Sequence, residues 1–284
     1  MRLGVLLRGM GAHAAAGVGV LTELERRGIS PYAVCGMHAG AWPAALHMAG
    51  YGAARMDAAL LQASRMGERM LTPALFPRAV LRGGRDALCG GAHMQRLLSA
   101  QAGERVMALC PHIGLFLCRS ARGGRRVIFA TQAYMQEPGD IVTMQATLAF
   151  AARAAMAYPP FLTPLEWMGA PLLPDNDAAF ACRQLFALGA QRVLVVTPVP
   201  SPRRAPDALE MTALCALREE TLPERAAQLC VTMPDDAGAL SLSRLGHCAQ
   251  AGESAARAQL DRVFEQLGMA FCRVLPFPRA SDGR

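Results

Sequence analysis

Two glycine-framed segments carry the residues whose types and spacing suggest chemistry. The first, Cys35-Gly36-Met37-His38-Ala39-Gly40, has the pattern Gly-x-His-x-Gly at the end of a short apolar run. In acyl hydrolases the matching pattern is Gly-x-Ser-x-Gly, a sharp strand-to-helix turn whose small flanking residues leave the nucleophile at the tip. Here Gly36 and Gly40 are present and the tip residue is His38. Such a tip takes positive φ, a region that histidine enters more readily than most side chains, so the turn is expected to survive the exchange. An imidazole there offers acid–base chemistry toward water or, less efficiently, direct attack on an ester or phosphoester; it cannot form an acyl-serine.

The second segment is Leu7-Arg8-Gly9-Met10-Gly11-Ala12-His13-Ala14. Backbone N–H groups of a loop such as Gly9, Met10, Gly11, Ala12 and His13, placed at the start of a helix, attract negative charge, whether a phosphate or a developing oxyanion. Gly9, Gly11 and Ala14 also match the spacing of a dinucleotide fingerprint, yet the next strand ends in Cys35-Gly36 with no acidic residue to hold a ribose. A nucleotide-binding module built on the Gly9–Gly11 loop stays open as an alternative.

The surrounding pattern supplies elements to hold these loops. Leu3 to Leu7 is an apolar run of the kind buried on both faces of a parallel sheet, and Ala14 to Arg27 has helical spacing closed by Gly28. Tyr32 to Cys35 predicts a second strand, and Ala39 toward Ala49 a second helix ended by Gly50. This alternation argues an α/β fold, a three-layer sandwich around a mainly parallel sheet. Residues from about 56 to 102 read as a helical capping insertion, broken by Pro73, Pro77 and Gly83-Gly84. Ile113 to Arg119 and Arg126 to Ala130 predict a hairpin around Gly123-Gly124, and Val193 to Val196 a further buried strand after a helix ending at Leu188-Gly189. Pro198 to Pro206 reads as a stiff loop, with helical periodicity in Pro206 to Leu229 and Ser241 to Gly268. At 284 residues and 52% hydrophobic content, a single domain over 1–284 is expected.

At this point the residues resemble a known family. Gly9-Met10-Gly11-Ala12-His13 followed by Gly17-Val18-Gly19-Val20-Leu21 is similar to the oxyanion loop and first helix of bacterial patatin-like phospholipases, and the spacing to Gly36-Met37-His38-Ala39-Gly40 fits. Tyr158-Pro159-Pro160-Phe161 within Ala151 to Pro164 resembles the family segment before its second catalytic residue, and Asp175-Asn176-Asp177 stands where the family has Asp-Gly-Gly/Ala. Leu188 to Val196 and Leu245 to Ala256 resemble the family's later helix and strand and its last helix. The resemblance implies a lipid acyl hydrolase scaffold with a serine–aspartate dyad, the aspartate role falling on Asp175, or on Asp177 if the loop shifts by two residues. Every chemical motif departs from it: His38 at the serine, Met10 at the loop's central glycine, His13 at an arginine, and Asn176 and Asp177 after the aspartate. The readings are then a pseudoenzyme in which His38 fills the elbow of a lipid- or partner-binding domain, or a hydrolase in which a His38–Asp175 pair activates water.

Composition narrows the remainder. All 29 basic residues are arginine, against 22 acidic ones; a GC-rich codon bias explains this, and an anionic membrane or lipid surface is the alternative partner. Arg119, Arg122, Arg125 and Arg126 around the hairpin turn carry the same pair of readings, a solvated face or an anionic-membrane contact. Nucleic acid is not expected as a partner. Nine cysteines, scattered singly without CxxC spacing, argue against a disulfide framework or zinc site and for a reducing, cytoplasmic compartment, with peripheral membrane contact left open. Neither metal nor cofactor is expected. The short apolar start, interrupted by Arg8 and His13, is not read as a signal peptide, and no window reaches the length of a membrane span.

Overall fold

In the computed structural model the chain is described over residues 1–71, 89–134, 138–159, 161–211 and 221–269. The strands are β1 (Leu3–Leu7), β2 (Ala33–Gly36), β3 (Ile113–Ser120), β4 (Arg126–Ala130), β5 (Ile141–Thr143), β6 (Glu166–Trp167), β7 (Ala170–Pro174), β8 (Arg192–Val199) and β9 (Ala226–Thr232). The main helices are α1 (Ala15–Arg26), α2 (Ala41–Met48), α3 (Ala53–Met66), α4 (Ala92–Ala102), α5 (Leu148–Ala155), α6 (Ala178–Ala187) and α7 (Leu245–Gln266).

β1 is buried along its whole length because it sits mid-sheet, parallel to β2 on one side and β8 on the other, in the order β5-β4-β3-β2-β1-β8-β9. Alternate strand residues face two cores. Val5, Leu7, Val34, Leu194 and Val196 join one that includes α1, α2, α5 and α7, while Leu6, Cys35, Val193 and Val195 join another with Phe180, Ala181 and Leu185 of α6. The fold is therefore a three-layer α/β sandwich with a mainly parallel sheet. Among the described residues no helix is long and apolar enough to cross a membrane.

α1 and α7 pack with backbones in close approach. A Cβ added at Gly19 would land on the Ala249 carbonyl oxygen, and one at Gly252 on that of Ala16. These glycines are thus part of the helix–helix contact that covers the β1 loop from behind.

Several local expectations need correction. The stiff loop expected from Pro198 begins later, because Pro198 and Val199 extend β8 in parallel register with Val231 and Thr232 of β9. The helical periodicity expected up to Leu229 gives way to β9, where Ala227, Leu229 and Val231 are buried at a period of two. The hairpin of β3 and β4 forms with Leu115 opposite Ala130 and Arg119 opposite Arg126. α3 and α4 occupy the two ends of the expected capping insertion, while Pro73, Pro77 and Gly83-Gly84 lie outside the described residues.

Candidate functional site

The end of β2 makes the sharp turn that the glycine spacing predicts. Met37 is extended, His38 has φ +52°, and a 3-10 turn over His38–Gly40 leads into α2. Gly36 and Gly40 are required by contact: an added Cβ would strike Ala41 Cα at the first and the Leu7 carbonyl oxygen at the second. The glycine loop lies directly alongside, since Ala39 N–H donates to the Gly9 carbonyl at 3.0 Å and Met37 N–H to that of Leu7 at 2.9 Å. Within it Met10 has ordinary extended angles, φ −116° and ψ 133°, so its side chain imposes no backbone strain. Gly11 takes φ +50° at the start of a 3-10 turn over Gly11–Ala14. Ala12 N–H is committed to the Ala239 carbonyl at 2.7 Å.

The sheet topology explains what faces His38. β2 pairs with β3 only up to Gly36 opposite Phe116, and the rest of β3 has β4 on one side. β7 fills the position that β2 vacates, antiparallel to β3 with Pro174 opposite Cys118. It therefore runs down toward the elbow and delivers residues 175–177 over it. His38 Nε2 lies 2.6 Å from Asn176 Oδ1, and its ring meets Tyr158 edge-on with centroids 5.3 Å apart. With Oδ1 toward the ring, Nε2 carries the proton and Nδ1 the lone pair. Burial pushes the imidazole down to about 4, against the opposing effect of the Asn176 hydrogen bond; the Arg8 charge lowers it further and the Asp175 charge raises it. His38 is neutral at pH 7.

Asp175 does not hydrogen-bond to His38. It is 1% exposed, its Oδ2 meets Arg126 Nε at 2.8 Å and Arg119 Nε at 3.1 Å, and its Oδ1 accepts the Asp177 N–H at 3.0 Å. Asp177 caps α6 by accepting the Phe180 N–H at 2.7 Å and also binds Arg126, at 2.9 Å. Neither carboxylate contacts the elbow tip; the residue between them does. Arg126 lies 3.7 Å above the Phe180 ring, which fixes its guanidinium in place.

His13 is likewise inward. It is 3% exposed, with Nε2 3.0 Å from Glu210 Oε1 and 3.1 Å from the Ala237 carbonyl, and burial lowers its pKa. Arg204 binds Glu210 with both terminal nitrogens. Glu210 thus joins His13 and Arg204 behind the loop.

Beside the elbow is a cavity of about 70 Å³. His38 and Tyr158 line it together with apolar residues, Met10, Met156, Phe161 and Leu242 among them. Among the described residues, no cluster of three or more His, Cys, Asp or Glu side chains is placed to hold a metal. Sequence reasoning missed Arg126 and Arg119 as partners of Asp175, Glu210 and Arg204 behind the loop, and the role of Asn176. Arg204 and Glu210 are six residues apart but share no recognised motif spacing, and the other pairs are far apart in sequence.

No family model and no curated protein matches the sequence. Among solved structures, the chain is similar to VipD from Legionella pneumophila, with TM-score 0.51 and 10% identity over 92% of this chain and 67% of that one. The fold is patatin-like. Lesser likenesses are to human GIVD cytosolic phospholipase A2 in complex with methyl gamma-linolenyl fluorophosphonate (TM-score 0.43, 12% identity, 94% and 60% of the two chains) and to the type III effector protein ExoU (0.38, 14%, 92% and 53%). The chain thus spans just over half of the ExoU chain and about two thirds of VipD. At these identities the likeness is one of fold.

Proposed function

We propose that this patatin-like domain binds an acyl chain without hydrolysing it at serine-enzyme rates. The observation that carries this reading is the state of the elbow: His38 at the tip is bonded to Asn176, and Asp175, to which the resemblance gives the dyad role, is held by Arg126 and Arg119. The pieces of an acyl hydrolase are in register, but the hydroxyl is missing and the carboxylate is engaged elsewhere. The cavity beside His38 is walled by methionine, leucine and aromatic side chains, and its volume of about 70 Å³ has room for the end of a hydrocarbon chain but not for a dinucleotide. The test is a purified full-length chain offered a fluorescent fatty acid, a fluorophosphonate and a fatty-acyl ester. Saturable fatty-acid binding, competed by unlabelled fatty acid and weakened by Phe161→Asp, with no fluorophosphonate labelling, is expected. Ester turnover of about 1 per second or more, abolished by His38→Ala, refutes it.

One observation favours a second reading. A neutral imidazole whose Nδ1 has no hydrogen-bond partner among the described residues is competent as a base toward water, so slow hydrolysis dependent on His38 and lost as pH falls toward about 4 would mark a residual hydrolase. In that case Asn176, and not Asp175, orients the ring.

A further inference from the structure

β3 outruns its parallel neighbours. It leaves β2 at Phe116 and continues to Ser120, about 13 Å further at roughly 3.3 Å per residue. The hairpin it forms with β4 therefore stands above the C-terminal ends of β1 and β2, on the side of the sheet where the elbow lies. Residues 121–125, which make its turn, are all exposed. β7 follows β3 outward, with Leu172 opposite Ser120 and Ala121 N–H donating to the Pro171 carbonyl at 2.8 Å. The β6–β7 turn at Met168-Gly169 consequently reaches the same level as the β3–β4 turn.

The two turns present complementary chemistry. No acidic residue occurs between Glu104 and Glu137, a stretch that holds Arg119, Arg122, Arg125 and Arg126. Arg119 and Arg126 are used by Asp175; among the described residues, Arg122 and Arg125 meet no carboxylate. Met168 is 83% exposed and held at φ +51°, an unfavourable backbone region for such a side chain. Its neighbour Trp167 turns the other way, edge-on to Phe129 at 5.4 Å. Glu166, exposed on β6, is the acidic residue nearest this tip in sequence.

We propose that these adjacent turns form a docking surface for an anionic lipid bilayer, with Arg122 and Arg125 against lipid phosphates and Met168 entering the interface. An apolar tip near arginines that meet no carboxylate among the described residues suits a bilayer better than nucleic acid, for which the turns offer no aromatic stacking platform. The inference is independent of the acyl-pocket reading: docking can hold with an empty pocket, and the pocket can fill in solution.

The test is sedimentation of the full chain with vesicles of phosphatidylcholine alone or mixed with phosphatidylglycerol. Binding is expected only to the mixed vesicles, weakening with added salt. Because each basic residue at such a surface contributes about fivefold, Arg122→Gln with Arg125→Gln should lower partitioning about 30-fold, and Met168→Ser about 3- to 10-fold. Both changes lie in exposed turns, and an unchanged thermal midpoint shows that the variants are folded. Equal binding to both vesicle types, binding indifferent to the double variant, or retention on nucleic acid with no vesicle binding each overturns the proposal. Fatty-acid binding by the double variant in vesicle-free buffer separates this outcome from failure of the pocket reading.

Discussion

Restoring the missing hydroxyl with His38→Ser should yield almost no acyl hydrolysis, and the structure says why. A serine at that position must hold φ near +52°, which costs on the order of 1 to 2 kcal/mol for a side chain with little preference for it. The carboxylate that would complete the dyad keeps its contacts to Arg126 at 2.8 Å, Arg119 at 3.1 Å and Asp177 N–H at 3.0 Å, so it is not free to accept the serine proton. Three donors near the tip are already used: Ala12 N–H is bonded to Ala239, His13 N–H to Met10 and Ala39 N–H to Gly9. Losing one oxyanion donor typically costs about 100- to 1,000-fold, and losing the nucleophile–base unit about 10⁴ to 10⁶. From an ordinary turnover of about 10 per second, the single variant is expected below about 10⁻⁴ per second. The assay is release of a short-chain chromogenic ester by folded protein against a blank, with fluorophosphonate labelling as a second readout. Adding Met10→Gly should change little through backbone strain, since Met10 already has ordinary angles, and its effect is confined to pocket shape. His13→Arg, which would otherwise match the resemblance, forces a second guanidinium beside Arg204 in a buried position and should destabilise the fold. Turnover above about 0.1 per second by His38→Ser alone would show that Asp175 and the loop are free to work, and the reasoning would be refuted.

Arg126→Ala leaves the buried Asp175 with the half-exposed Arg119 and the Asp177 N–H and should cost about 3 to 5 kcal/mol, measured by urea unfolding; a loss under about 1 kcal/mol would contradict the pairing. His47 is 8% exposed, stacked on His112, and driven down to about 4 by burial and by the His112 charge. Its folded pKa lies below its unfolded value near 6.5, so its contribution is complete above about pH 6.5 and is lost as pH falls toward about 4. His47→Gln should flatten that acid-side decline by up to about 3 kcal/mol, and an unaltered pH–stability curve would count against it. Gly19→Ala places a Cβ on the Ala249 carbonyl and should cost about 1 to 3 kcal/mol, seen as a lower thermal midpoint. His13→Ala removes one of three partners of buried Glu210, which keeps Arg204 and the Asp207 N–H, and should cost about 1 to 3 kcal/mol; an unchanged midpoint would mean that those two suffice.

The parts legible in the sequence were those governed by neighbours within a few residues. Leu3 to Leu7 announced a buried strand because a parallel strand covered on both faces needs an unbroken apolar run. Gly36 announced the elbow because the space there is closed by local backbone at Ala41, whereas Gly40 was legible only as part of the spacing, since the atom it must clear is the Leu7 carbonyl of β1. The positive φ of His38 followed from the same spacing. The helical reading of Pro206 to Leu229 holds for residues 208–211 and failed over Ala226 to Leu229, because β9 owes its state to its partner: alongside β8 it is a strand, and its alternation is short enough to pass for part of a helical pattern.

By itself the sequence determined that no serine stands at the elbow, and so which covalent chemistry is closed to this chain; that is a property of one side chain and needs no coordinates. Tertiary structure alone decided what His38 touches. β7 enters the slot beyond the end of β2, and its register places Asn176 against the imidazole while turning Asp175 and Asp177 toward Arg126. A shift of one residue would have exchanged those partners. The physical reason is that strand pairing sets facing at a period of two, and the pairing of β7 with β3 joins segments about fifty residues apart, whose register no local pattern encodes.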